Sequence, residues 1–177
     1  MKGGLPFSAD RLRPILGLVQ TIVCSLPCNP LTIIRAYRIT NNSGLFDPTC
    51  YQTQLTKPLS SGQDPLVHFL TTDVETRADP HPLFDTAYYL TQCPDVAEQG
   101  INPLVHFLTT DVETRADPHP LFDTAYYLTQ CPDVAEQGIN PLLHFLQTGW
   151  LEGQSPHLLF DAPYYLDRYP DVAEQGI

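Results

Sequence analysis

PLVHFLTTDVETRADPHPLFDTAYYLTQCPDVAEQGIN, residues 65–102, is followed at once by the same 38 residues, 103–140, with no difference at any position. Residues 141–177, PLLHFLQTGWLEGQSPHLLFDAPYYLDRYPDVAEQGI, form a third copy that matches at 22 of 37 positions. Upstream, LFDPTCYQTQLTKPLSSGQDP (45–65) aligns with 83–103 and retains Phe46-Asp47, Tyr51, Gly62 and Pro65. Fixed-period self-similarity of this kind marks repeat architectures, whose units bury their apolar faces against their neighbours. Divided at this period, the chain reads as 1–44, an N-terminal segment; 45–64, a degraded half-repeat; and the repeats 65–102, 103–140 and 141–177.

Each unit carries three helix starts. In FDTAYYLTQ, Asp85 is placed as an N-cap, with Phe84 before it and Tyr89 positioned to staple across the first turn. In PDVAEQG, Asp95 reads as a cap with Glu98 three residues on, and Gly100 as a left-handed stop. In NPLVHFL, Asn102 caps and Pro103 takes the first helical position, where its missing N–H costs nothing. No stretch alternates as a strand does. The expected class is therefore all-α: a solenoid-like tandem array of short helical units with a 38-residue period. Between the helices, copies one and two have Asp73 and Asp111 where the third has Gly149, followed by Trp150. A glycine there reads as a left-handed helix stop, and aspartate in its place predicts looser helix ends.

Charge separates the array from the N-terminal segment. Residues 1–44 hold five of the nine Lys and Arg and one of the twenty Asp and Glu, about +4, which leaves about −15 for the rest. An array this acidic repels phosphate backbones, so nucleic acid is excluded as its partner. Residues 14–34, PILGLVQTIVCSLPCNPLTII, are apolar but broken by Pro27 and Pro30. They read as two short helices capping the first repeat, with a signal or membrane segment as the alternative. The five cysteines form no zinc set: Cys24 and Cys28 straddle Pro27, Cys50 stands alone, and Cys93 and Cys131 give way to Tyr169 in the third copy. A position that takes Cys or Tyr is a packing position. The cytoplasm is the expected compartment, with membrane association or secretion as alternatives.

His68, His106 and His144 recur at one place in the unit. They read either as imidazoles facing a ligand or as partners in a hydrogen bond to the neighbouring unit or to a turn carbonyl. Of the pairs Tyr88/Tyr89, Tyr126/Tyr127 and Tyr164/Tyr165, one ring belongs to the core and the other to a unit contact; alternatively Tyr89, Tyr127 and Tyr165 offer aromatic faces to carbohydrate. His81 and His119 read as exposed turn residues, and Asp85, Asp123 and Asp161 as caps. No nucleophile, phosphate, dinucleotide, zinc or calcium motif is present, so neither catalysis nor a cofactor is expected. Exact duplication points the same way, because an active site needs unlike groups converging on one place.

The full unit, FDxxYYLxxxPDVAxxGINPLxHFLxxGWxEG at 122–153, resembles the short helical repeats that accompany bacterial glycosyltransferases of surface-polysaccharide synthesis and occur in some large secreted proteins. The lead-in YRITNNSGLFD, 37–47, is similar to the segment introducing such arrays, so the resemblance covers residues 37–177. It implies a non-catalytic scaffold for docking or spacing, since catalysis in that family belongs to a separate nucleotide-sugar-binding domain. An accessory region or fragment of such an enzyme, or a membrane-anchored surface repeat protein, are the other readings. A unit that stops at Ile177, before its Asn-Pro-Leu-Xaa-His-Phe-Leu helix, leads us to expect a protein partner or further domain at the C-terminal stacking face.

Overall fold

Proline after an aspartate or asparagine opens much of the secondary structure, and the reason is local. The side chains of Asp47, Asp64, Asn102 and Asn140 each accept two backbone N–H groups of the first turn, and Pro48, Pro65, Pro103 and Pro141 fill the next position. The computed structural model describes residues 30–72 and 78–171. Ten α-helices occur among them: α1 Pro30–Ser43, α2 Pro48–Thr53, α3 Pro65–Thr71, α4 Thr86–Gln92, α5 Pro94–Glu98, α6 Pro103–Thr109, α7 Thr124–Gln130, α8 Pro132–Glu136, α9 Pro141–His144 and α10 Ala162–Arg168. A 3-10 turn, Val112–Thr114, follows α6, and a π-helical turn, Phe145–Gly149, continues α9. The described residues contain no strand, so the class is all-α. Only isolated bridges such as His81–Phe84 and His119–Phe122 have a β pairing.

The caps at Asp85, Asp123 and Asp161 form as the sequence indicates, each accepting from the N–H three residues on. Phe84 and Tyr89 make the expected staple, with ring centroids 5.3 Å apart. In α5 the cap position belongs to Cys93, whose side chain makes no capping bond. Pro94 takes the first helical position, which moves Asp95 into the first turn, where its charge complements the helix N-terminus. Gly100 (φ 66°) ends α5 in the left-handed conformation. The N–H groups of Gly100 and Ile101 return to the carbonyls of Ala97 and Val96, the paired bonds of a Schellman stop.

The linkers after α6 and α9 differ from expectation. Neither Asp111 (φ −62°) nor Gly149 is left-handed; the left-handed residue of the third copy is Gly153, with φ 77°. The end of α6 is not loose. Thr109 and Thr110 donate hydroxyls to the carbonyls of Val105 and His106, and the Arg115 guanidinium donates to the carbonyls of Phe107 and Thr110. That guanidinium lies 5.2 Å above the Phe107 ring, and burial lowers its pKa. An extended residue at Asp111 followed by a returning arginine satisfies the helix end without glycine. In the third copy Gly153 replaces the arginine, the helix continues into a π turn, and Trp150, only 6% exposed, fills the space. Asp73 and the residues to Arg77 lie outside the described residues.

Aromatic rings carry the core: Tyr51, Phe69, Phe84, Tyr89, Phe107, Phe122, Tyr127 and Phe145 belong to one buried cluster. Within it α4 packs on α5 and α6, and α7 on α8 and α9. Helix α1 lies against both α3 and α6. It buries Ile33 and Thr40, and ends at Gly44 (φ 75°). Of the apolar 14–34 segment only Pro30–Ile34 is described, as the start of α1, so the expected pair of capping helices, Cys24 and Cys28 lie outside the described residues. No helix among the described residues is long and apolar enough to cross a membrane.

Candidate functional site

Each recurrent histidine meets a recurrent tyrosine 17 residues upstream. The hydroxyl of Tyr51 is 2.7 Å from His68 Nδ1, that of Tyr89 is 2.8 Å from His106 Nδ1, and that of Tyr127 is 2.7 Å from His144 Nδ1. The tyrosine comes from the Phe-Asp-capped helix and the histidine from the Asx-Pro-capped helix packed against it. Two further bonds recur beside each pair. The side-chain amides of Gln54, Gln92 and Gln130 clamp both backbone groups of Asp79, Asp117 and Ser155. The N–H groups of Asp47, Asp85 and Asp123 donate to the carbonyls of Pro80, Pro118 and Pro156 at 2.7–2.9 Å.

These bonds recur at the 38-residue spacing of the sequence. All three types run from one Phe-Asp to the Pro-His turn ahead of the next, so they tie together 46–83, 84–121 and 122–159. Divisions after 64, 102 and 140 would cut every tyrosine from its histidine.

Burial favours the neutral phenol in all three pairs and the neutral imidazole at His68. Tyr51, Tyr89 and Tyr127 are at most 1% exposed, and burial raises the pKa of all three phenols. Burial lowers the pKa of His68. A phenol that keeps its proton can donate it to Nδ1 in the imidazole tautomer whose proton sits on Nε2. The following phenylalanine closes the site from the other side. Phe107 meets Phe84 and Tyr89 edge-on at 5.4 and 5.9 Å, and Phe145 meets Phe122 and Tyr127 at 5.8 and 6.0 Å. Gly149 belongs to the same site: a Cβ there would overlap the Tyr127 hydroxyl.

Sealed this way, Tyr89 and Tyr127 present no face to a ligand; they are joints between helices. His68, His106 and His144 are half-buried and turn Nδ1 onto Tyr51, Tyr89 and Tyr127 respectively. Tyr165 alone of the aromatic candidates is open, at 39%. His81 and His119 are not exposed: half-buried, they accept the N–H of Leu83 and Leu121 at Nδ1 and close the turn. The glutamine clamp escapes a reading of the sequence, though Gln54, Gln92 and Gln130 recur at the 38-residue spacing.

No group of three or more His, Cys, Asp or Glu among the described residues could hold a metal ion. A cavity of about 230 Å³ beside Tyr37, Asn41, Phe46 and Asp64 offers one carboxylate. That carboxylate is already engaged by the N–H groups of Leu66 and Val67 and the Tyr37 hydroxyl. In comparisons with known proteins, no family model, no curated protein and no solved structure matches this chain.

Proposed function

We propose that the chain is a non-catalytic scaffold: a solenoid-like array of 38-residue modules, phased 46–83, 84–121 and 122–159, that docks or spaces a partner. The observation carrying this reading is the recurrence of the same tyrosine–histidine, glutamine–backbone and aspartate–proline bonds in three successive modules. Helix α1, lying on α3 of the first module and α6 of the second, supports side-by-side modules. The recurrent polar side chains are spent on one another, which leaves a closed module without a reactive group. The resemblance of the 122–153 motif to glycosyltransferase-associated repeats supports a setting in bacterial polysaccharide synthesis or the cell envelope, with the chain as a stand-alone scaffold or an enzyme's accessory region.

Inserting one further copy of 84–121 after Leu121 tests the array. The expected outcome is a constant increase in the maximum dimension from small-angle X-ray scattering, with helicity per residue unchanged. Loss of helicity, or no increase in length, would contradict it. Nucleotide-sugar turnover by the purified chain would contradict the non-catalytic part.

A further inference from the structure

Unlike elements converge at the cavity of about 230 Å³ between α1 and the first module. Helix α1 contributes Tyr37 and Asn41 to its wall, and the module contributes Phe46, Pro48, Asp64 and Leu66. The opening has a local cause. Ahead of α4 and α7 run turns in which the carboxylates of Asp79 and Asp117 accept the N–H groups of Thr86 and Thr124. Phe84, Thr86, Phe122 and Thr124 are buried there. Ahead of α2 comes α1 instead, and of the matching residues Phe46 is only half-buried and Pro48 is exposed. Phe46 packs on Tyr51 and Phe69, with ring centroids 5.5 and 5.4 Å away, and still borders the cavity.

Asp64 is the second departure from the later modules, where Asn102 and Asn140 stand in its place. All three cap their helix through Oδ1, which accepts two N–H groups in each case. Capping therefore requires no charge at this position. The second oxygen of Asp64, Oδ2, accepts the Tyr37 hydroxyl at 3.2 Å, and a carboxylate oxygen has room for a further donor. Asn41 is exposed and adds an amide that both donates and accepts.

We infer that this cavity binds a single neutral sugar ring. A pyranose has an apolar C–H face to pack on Phe46 and Pro48, and hydroxyl groups that donate to Asp64 and exchange bonds with Asn41 and Tyr37. The volume lies below the roughly 300–1,000 Å³ of pockets that take drug-sized ligands, so it suits one ring more than a chain. Charge removes the alternatives. Among the described residues no Lys, Arg or His lines the cavity, and Asp64 repels phosphates and carboxylates, which excludes nucleotide-linked and acidic sugars. An ammonium group would use Asp64 but offers no acceptor to the Asn41 amide. The site stands apart from the array reading, since it depends on α1 and on a carboxylate that the next two modules replace by asparagine.

The test titrates the full chain with the methyl glycosides of glucose, galactose, mannose and N-acetylglucosamine, and separately with methylammonium, by saturation-transfer NMR. Saturable binding of at least one glycoside is expected. Asp64→Asn should weaken it at least about fivefold, because a charge-assisted bond becomes a neutral one. That variant keeps its cap, as Asn102 and Asn140 do, so helicity by circular dichroism should be unchanged. Asn41→Ala, at an exposed helical position, should weaken binding as well. Binding of none of the glycosides, or binding that either substitution leaves unchanged, overturns the assignment. Methylammonium binding that Asp64→Asn abolishes, with no glycoside bound, overturns it in favour of a cation. None of these outcomes touches the scaffold reading, which the inserted module tests on its own.

Discussion

Tyr127 and Tyr165 sit 38 residues apart, at one place in the repeat, on helices with the same aspartate cap and the same phenylalanine beside them. One is sealed and the other is 39% exposed. Their own segments are alike in what matters, so the difference comes from the covering helix: α9 with its leucine, histidine and phenylalanine lies over Tyr127, and no described helix lies over Tyr165. The Phe-Asp-Xaa-Xaa-Tyr-Tyr helix therefore supplies half of a core. The Asx-Pro helix completes it, and the tyrosine–histidine bond sets the register between the two.

Substitutions at paired positions should separate the halves most where packing is densest. Phe122→Ala should cost about 3–5 kcal/mol in urea unfolding, because it empties a fully buried ring site. Phe160→Ala, at the open face, should cost about 1 kcal/mol or less, since it removes no closed packing. A comparable loss at both would erase the distinction. Gly149→Ala should destabilise by about 1–3 kcal/mol, because the new methyl must displace the Tyr127 hydroxyl from His144. The check is the unfolding midpoint together with the Tyr127 ring signal in NMR.

A smaller effect is expected from the bond alone. A double-mutant cycle of Tyr127→Phe with His144→Ala should give a coupling of about 0.5–1.5 kcal/mol, and Tyr165→Phe by itself almost none. The smallest effect is the pH dependence. Burial depresses the His68 pKa in the fold, so the unfolded chain binds the proton first as the pH falls. The contribution is fully present above the ordinary histidine value of about 6.5 and is lost as pH drops through the folded value. Comparing unfolding midpoints at about pH 7.5 and about pH 5, in the protein and in His68→Gln, should show a steeper decline in the protein. An equal decline in both would assign the pH dependence elsewhere.

Much of the module is legible in the sequence because its signals are local. Asp85, Asn102, Pro103 and Gly100 act within one turn of themselves, and each does what its residue type dictates. Asp95 does not, since the proline before it claims the first helical position and moves the cap back to Cys93. Gly149 misleads as a linker stop. Its lack of a side chain serves the Tyr127 hydroxyl, a contact 22 residues away in sequence, and not a left-handed turn. The recurrence of His106 and Tyr89 shows that both matter, but not that they bond to each other. Helix spacing ranks faces within one helix and is silent about which neighbouring helix a face meets. The phase proposed for the modules is hidden for the same reason, because a period by itself has no starting point.

Nitration by tetranitromethane, with the modified tyrosines mapped by mass spectrometry, tests the central claim most directly. Trypsin places Tyr89 and Tyr127 on different fragments, cut at Arg115, so the identical copies are resolved. Tyr164, Tyr165 and Tyr169, which are exposed, should react while the buried Tyr51, Tyr89 and Tyr127 stay protected until the chain unfolds. Nitration of Tyr127 in the folded chain at the rate of Tyr165 would contradict the closed module and the scaffold built from it.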